Sequence, residues 1–121
     1  MTPEMVELGR AVVACKGWMW MPGMRALSKS RGKLTAIRVC DDIREWVARS
    51  NEFPDLTDHA TLGCLLALVR KSYGDDEAWA QPWHDTDGGW TVTINEDDRC
   101  LIIAEGDTEV EALVAALEGA P

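Results

Sequence analysis

The chain has 121 residues, 46% of them hydrophobic, so it can bury the core of one domain without disulfides or a metal ion. Its 21 acidic and 12 basic side chains give a net charge of −9, which argues against duplex nucleic acid and anionic membranes as partners, because both bind basic surfaces. No apolar run reaches the roughly 18 residues of a membrane span and the N-terminus is acidic, so we expect a cytoplasmic protein.

The first helix is predicted over residues 3–16, where a capping threonine and a proline precede apolar residues at helical spacing and a glycine stop. Residues 18–21 then favour a short strand, which a Pro-Gly turn dipeptide ends. Trp18 and Trp20 lie two residues apart in this segment, so on an extended backbone both indoles share one face. The chain has six tryptophans, and this tryptophan content is the most informative feature of its composition.

The middle of the chain is its least regular part. Residues 24–33 hold the chain's main basic stretch and are predicted to form a mobile connection, whereas residues 34–40 alternate as a strand does. Residues 41–53 favour a weak helix, because their few apolar side chains have helical spacing. We therefore expect a single domain over residues 1–121 in which the segment 24–53 is the mobile part.

The C-terminal half carries the clearest signals. A long amphipathic helix is predicted to begin after Thr57 or Asp58 and to end before Gly74. Three extended runs separated by acidic turns follow and predict an antiparallel meander, over residues 78–83, 90–95 and 100–104. A capping-box pattern then opens a last helix.

The order of these elements predicts an α/β protein of the α+β type. We expect a layered sandwich of about three helices packed on a mainly antiparallel sheet of four to five strands.

Catalysis and metal binding have no positive support in the sequence. His59 falls in the first turn of the long helix and is expected on the surface, while His84 precedes an acidic turn and suits either solvation or a pH-dependent contact. The four cysteines lack metal-ligand spacing and are expected to be small buried apolar residues. No glycine-rich phosphate loop is present. We therefore predict no catalytic residue, no metal site and no cofactor.

The aromatic side chains support a ligand-binding function better than the sequence supports catalysis or metal binding. Trp79 and Trp83 share one face of a strand, and they would meet the earlier pair if Trp18 and Trp20 lie on a neighbouring strand. A bordering arginine would then hold the phosphate of a stacked ring. The alternative is that the indoles fill the core, as we expect of Trp90. The candidate binding residues are Trp18, Trp20, Arg25, Arg38, Trp79, Trp83 and His84.

Several local strings resemble the phage ABA-sandwich domain family, a group of small, mostly uncharacterised proteins of phages and prophages. The resemblance covers residues 5–24 and 54–118 and implies an α/β sandwich of phage origin, without catalytic residues to carry over. The strings that carry it are Cys15-Lys16-Gly17-Trp18, Pro54-Asp55-Leu56-Thr57-Asp58, Gly88-Gly89-Trp90 and Asp107-Thr108-Glu109-Val110-Glu111-Ala112-Leu113.

Three functional hypotheses remain open. The first is a non-enzymatic accessory protein that inhibits a host defence or nucleic-acid-processing protein by placing acidic loops in a basic groove. The second is a sponge that sequesters a nucleotide-like small molecule between the tryptophans and Arg25 or Arg38, in a pocket or at the subunit interface of a homo-oligomer. The third, a small enzyme built around His84, ranks last because no nucleophile accompanies it.

Overall fold

The computed structural model describes residues 2–83 and 88–121. The chain divides into two compact units. Unit 1 comprises Met1–Ala14 and Trp18–Cys64, and unit 2 comprises Cys15–Gly17 and Leu65–Pro121. The α+β class with antiparallel sheets is confirmed, with four helices and six strands in the described residues. The strands form two three-stranded sheets, and the single-domain interpretation stays a prediction.

Unit 1 contains the strands β1 (Arg25–Ser30), β2 (Lys33–Arg38) and β3 (Phe53–Pro54). They form the sheet β2-β1-β3, in which both neighbours of β1 are antiparallel to it. Its core holds buried apolar residues from the strands, from both helices and from the connecting segments, such as Phe53 and Met24. The first helix of the chain is capped as predicted, since the Thr2 hydroxyl accepts a hydrogen bond from the Met5 amide at 3.2 Å. The helices are α1 (Pro3–Val13), α2 (Arg44–Arg49) and α3 (His59–Tyr73), the last of which contributes residues to both units.

Two predictions in this unit are wrong. Residues 18–21 are not a strand, because this backbone enters a local turn: the Met21 amide donates to Met24 Sδ and the Met24 amide donates to the Met21 carbonyl. Residues 24–33 are not a loop connection, because the whole of β1 lies there. Ala26 and Leu27 are buried in succession, so β1 lacks the alternation by which a half-exposed strand is recognised.

The elements after α3 are β4 (Trp79–Pro82), β5 (Trp90–Glu96), β6 (Arg99–Gly106) and α4 (Glu109–Glu118). The strands form the sheet β4-β5-β6 of unit 2, which confirms the predicted antiparallel meander. Helix α4 packs on this sheet and buries the apolar stripe that its sequence predicted, including Leu113 and Leu117. Two contacts connect α3 to the rest of the unit, since the Tyr73 hydroxyl donates to the Ala116 carbonyl at 2.7 Å and Arg70 Nε donates to the Ala78 carbonyl at 2.8 Å.

The central strand β5 buries hydroxyl groups that lack partners. Thr93 is 3% exposed, and its Oγ1 has no hydrogen-bond partner among residues 2–83 and 88–121. Because an unsatisfied buried hydroxyl destabilises the fold, we expect Thr93→Val to raise the free energy of unfolding, measured in urea, by about 1 kcal/mol.

Thr61→Val is the matched control for this prediction. The buried Thr61 hydroxyl accepts from the Arg25 amide at 2.8 Å and donates to Asp58 Oδ2 at 2.9 Å. Its loss should therefore lower the free energy of unfolding by about 1–2 kcal/mol. A Thr93→Val protein that is less stable than the wild type would show that this hydroxyl does find a partner.

Candidate functional site

A pocket of about 420 Å³ lies at one end of the sheet in unit 2. Two tryptophans and two carboxylates share its lining with backbone of the strand ends. Both indoles are half-buried, whereas both carboxylates are exposed. The lining residues are Trp83, Gly89, Trp90, Thr91, Glu105, Gly106 and Asp107.

The strand pairing explains why these residues meet. Trp90 is the first residue of β5 and lies opposite Gly106, the last residue of β6. The Trp83 amide, just beyond β4, donates to the Gly89 carbonyl at 2.8 Å, which brings the second indole to the same end. A strand order of β4-β5-β6 thus gathers three chain segments at one edge.

The start of α4 holds the acidic side of the pocket in place. The Thr108 hydroxyl accepts a hydrogen bond from the Glu111 amide at 3.2 Å, as an N-cap does. Glu111 Oε2 in turn accepts from the Asp107 amide at 3.3 Å. The first bond is the N-cap half of the predicted capping box, whereas the Glu111 side chain binds the amide of Asp107 and not that of Thr108. This second bond holds the backbone of Asp107 where it lines the pocket.

Charge is distributed unequally between the two units. Unit 1 carries eight acidic and eight basic side chains, whereas unit 2 carries 13 acidic and four basic ones, so the whole net charge of −9 belongs to unit 2. Part of this charge has a structural use, since Asp75 accepts from the amides of Asn95 and Glu77 at 2.7 and 2.9 Å. These two backbone hydrogen bonds lower the pKa of Asp75.

The chemistry of the pocket suits a cation. Indole faces attract ammonium and guanidinium groups, and a nearby carboxylate supplies a countercharge and a hydrogen-bond acceptor. Arginine and lysine side chains of a protein partner, or a quaternary ammonium group, have this character. An anionic ligand such as a nucleotide phosphate would instead meet the carboxylates of Glu105 and Asp107.

Trp18 and Trp20 pack against each other in unit 1. Their rings meet edge to face, with centroids 5.3 Å apart and an interplanar angle of 83°. Trp20 is 5% exposed and contributes to the core, whereas Trp18 is half-buried. The Nε1 atom of Trp18 is buried and has no hydrogen-bond partner within residues 2–83 and 88–121. Because Trp20 is only 5% exposed, most of its indole is closed to a ligand.

Arg25 and Arg38 lie opposite each other on β1 and β2, and they line a shallow recess of about 220 Å³. Each is already paired with a carboxylate. Arg25 Nε lies 3.4 Å from Asp55, and Arg38 contacts Asp58 through two nitrogens at 2.6 and 3.2 Å. A phosphate in this recess would have to compete with these ion pairs.

The remaining candidates are placed as follows. Trp79 opens β4 opposite Thr93 and is half-buried, and His84 lies outside the described residues. Trp18 and Trp20 belong to unit 1, whereas Trp79 and Trp83 belong to unit 2. The shared patch of four indoles therefore stays a prediction. His59 is exposed, as predicted.

The cysteines differ from the expectation of full burial. Cys15 and Cys64 are half-buried, and Cys40 and Cys100 are exposed. Burial raises the pKa of the Cys15 and Cys64 thiols, with a smaller contribution from nearby carboxylates, so both favour the protonated form. Within the part of the chain that the structure describes, no His, Cys, Asp and Glu side chains cluster as a metal site would require.

Of the seven lining residues, only Trp83 was among the predicted ones. The aromatic and acidic side chains that sequence reasoning missed are those of Trp90, Glu105 and Asp107. Trp90 shares parity with Val92 and was therefore expected in the core, but it is the first residue of β5 and is only half-buried. Its two preceding glycines, Gly88 and Gly89, were the available signal, because they mark a strand end.

The described residues include no helix whose length and apolar character would allow it to cross a membrane. Comparison of the chain with protein-family models, with curated proteins and with solved structures finds no match.

Proposed function

We propose that this protein acts by binding a partner protein, one of whose basic side chains enters the pocket of unit 2. The observation that carries the proposal is the composition of that pocket, in which Trp83 and Trp90 stand beside Glu105 and Asp107. Indoles select a cation with an apolar surface, and the carboxylates select its charge. An arginine side chain meets both requirements, because its planar guanidinium stacks on aromatic rings and pairs with carboxylates.

The charge of unit 2 supports the same proposal. A net charge of −9 carried by one unit produces a field that draws a basic surface towards it and accelerates association at low salt. The resemblance to phage proteins would make the partner a host defence or nucleic-acid-processing protein, bound in the cytoplasm of the host cell. Occupying its basic groove would inhibit it.

The experiment is a calorimetric titration with N-acetyl-arginine amide and with a hexa-arginine peptide. Trp83→Ala is expected to weaken binding of both by about tenfold, and Glu105→Gln by about threefold to tenfold, since each removes one half of the recognition. Higher salt should weaken the peptide more than the single residue, because the peptide also senses the long-range field.

Two controls separate the pocket from general charge attraction. Glu77→Gln removes the same charge from an exposed position of unit 2, and Trp46→Ala removes a tryptophan of unit 1 that is 57% exposed. Both should leave the affinity for N-acetyl-arginine amide within about twofold of the wild type. If Glu77→Gln weakens binding as much as Glu105→Gln does, the pocket is not the binding site.

The recess between Arg25 and Arg38 keeps the sponge for a nucleotide-like ligand as a second proposal. It ranks lower because both guanidinium groups already face carboxylates. A thermal-shift panel of nucleotides distinguishes the two. We expect no stabilisation, whereas a shift that Arg25→Gln abolishes would favour the sponge.

A further inference from the structure

A basic hairpin stands out in this acidic protein. The strands β1 and β2 and their turn cover residues 25–38, a segment with five basic side chains and no acidic one. All five are exposed. They are Arg25, Lys29, Arg31, Lys33 and Arg38.

The positive charge is uncompensated at one end of the hairpin. The two arginines far from the turn form the ion pairs with Asp55 and Asp58 described above. Lys29, Arg31 and Lys33 surround the turn, and the described residues offer none of them a carboxylate within ion-pair distance. The turn end of the hairpin therefore presents three positive charges to solvent.

Strand β2 is also an open sheet edge. It lies at the end of the order β2-β1-β3, and its register with β1 runs without a shift from Arg38 to Lys33. Ser30 and Lys33 close a two-residue turn, so by the alternation of an antiparallel ladder the amides and carbonyls of Leu34, Ala36 and Arg38 face away from β1. A further strand could pair with these groups.

Apolar side chains accompany this edge. Leu34 and Ile37 are 45% and 40% exposed, and they project from opposite faces of β2. A strand laid along the edge would cover part of both side chains and exclude water from the new backbone hydrogen bonds.

We propose that the edge of β2 binds an extended acidic peptide of a partner protein as an added strand. Backbone pairing would supply affinity, and the charges around the turn would select acidic residues. A second copy of β2 is a poor occupant, because it would bring like charges together. Nucleic acid fits the edge less well, because the remainder of the chain is strongly acidic and a phosphate backbone has no strand to add.

Arg31 provides a way to separate binding from folding. Arg31 and Gly32 have φ values of 52° and 77°, which makes the turn type I′. Asparagine is favoured at the first of these positions, whereas arginine is strained there. We therefore expect Arg31→Asn to leave the protein as stable as the wild type or more stable, and yet to weaken binding of an acidic peptide.

The test measures binding of the peptide acetyl-Glu-Val-Glu-Val-Glu-Val-amide by fluorescence anisotropy of a labelled copy. We expect Arg31→Asn to weaken binding about threefold. Ala36→Pro should weaken it by at least about tenfold, because it removes an outward amide at a position where an edge strand tolerates proline. Arg44→Gln removes an equal charge outside the hairpin and should change the affinity by less than about twofold.

Three results would overturn the proposal. The first is equal binding of a peptide in which prolines replace the valines, since that peptide keeps the charge but cannot pair as a strand. The second is tighter binding of a deca-thymidine oligonucleotide. The third is self-association of the unliganded chain that Arg31→Asn abolishes, which would make a second copy the occupant. Should Ala36→Pro fail to fold, Arg31→Asn and the proline peptide still decide the question.

Discussion

Replacing Gly106 with alanine is expected to lower the free energy of unfolding by about 3 kcal/mol. Gly106 ends β6 directly against α4, and a Cβ at this position would lie 2.6 Å from the Ala112 amide nitrogen and 2.9 Å from the Glu111 carbonyl carbon. Both are backbone atoms of the helix, so no side-chain rotation can remove the overlap. The helix itself has to shift, and its packing on the sheet weakens.

Urea unfolding followed by circular dichroism measures this effect, and Gly63→Ala is the matched control. Gly63 lies inside α3 with nothing within 4 Å of an added Cβ. Alanine there should raise the free energy of unfolding by about 0.5–1 kcal/mol, because it restricts the unfolded chain and favours helix. A Gly106→Ala protein within about 0.5 kcal/mol of the wild type would contradict the close seating of α4 on β6.

Helices α1, α3 and α4 were predictable because their signals are local. Thr2, Asp58 and Thr108 each accept the capping hydrogen bond that their positions before an apolar stripe predicted. A cap needs only a side chain and the amide three residues later, so both partners can be found within four consecutive residues of the sequence. The meander of unit 2 was predictable for a similar reason, since its turns are short and rich in turn-forming residues.

The strand β1 was not predictable, because its evidence is not local. Its two buried residues, Ala26 and Leu27, are adjacent, and basic side chains occupy the exposed positions around them. The segment therefore looks like a solvated loop until its neighbours are known. Pairing with β2 on one side and with β3 on the other is what makes it a strand.

The pocket of unit 2 illustrates a second limit. Trp90 and Gly106 lie opposite each other because of the register between β5 and β6, and that register contains a shift at Val92 and Thr93. A shift of one residue reverses which side chains face a given side of a sheet. Residues counted from the turn without this shift would set Trp90 opposite Glu105, whereas the shift sets it opposite Gly106. The sequence does not show the shift, so it could not predict which residues meet at this end of the sheet.

Replacing Asp58 with alanine is expected to lower the free energy of unfolding by about 2 kcal/mol. Asp58 precedes α3, and its Oδ2 accepts from the Thr61 amide at 3.0 Å and from Arg38 Nη1 at 2.6 Å. The same arginine nitrogen donates to the Gly23 carbonyl at 2.9 Å. One carboxylate thus caps a helix and anchors an arginine of β2, and alanine removes both interactions.

Asp58→Asn separates the two interactions. Asparagine retains an oxygen that can accept from the Thr61 amide, so the cap survives, but it loses the charge that pairs with Arg38. We expect a loss of about 1 kcal/mol, roughly half of that in the alanine variant. Equal losses in the two variants would mean that the ion pair, and not the cap, accounts for the stabilisation.

Acid provides an independent measurement of the same ion pair. The hydrogen bond from Arg38 is the largest cause, ahead of those from Thr61, that lowers the pKa of Asp58 from 3.8 to about 2. Because the folded-state pKa is the lower one, the stabilisation is present above about pH 4 and is lost as the pH falls towards 2. The difference in unfolding free energy between the wild type and Asp58→Asn, limited to about 1 kcal/mol by solvent screening, should therefore shrink over this window. A difference that stays constant down to about pH 2 would show that the carboxylate charge contributes nothing to the fold.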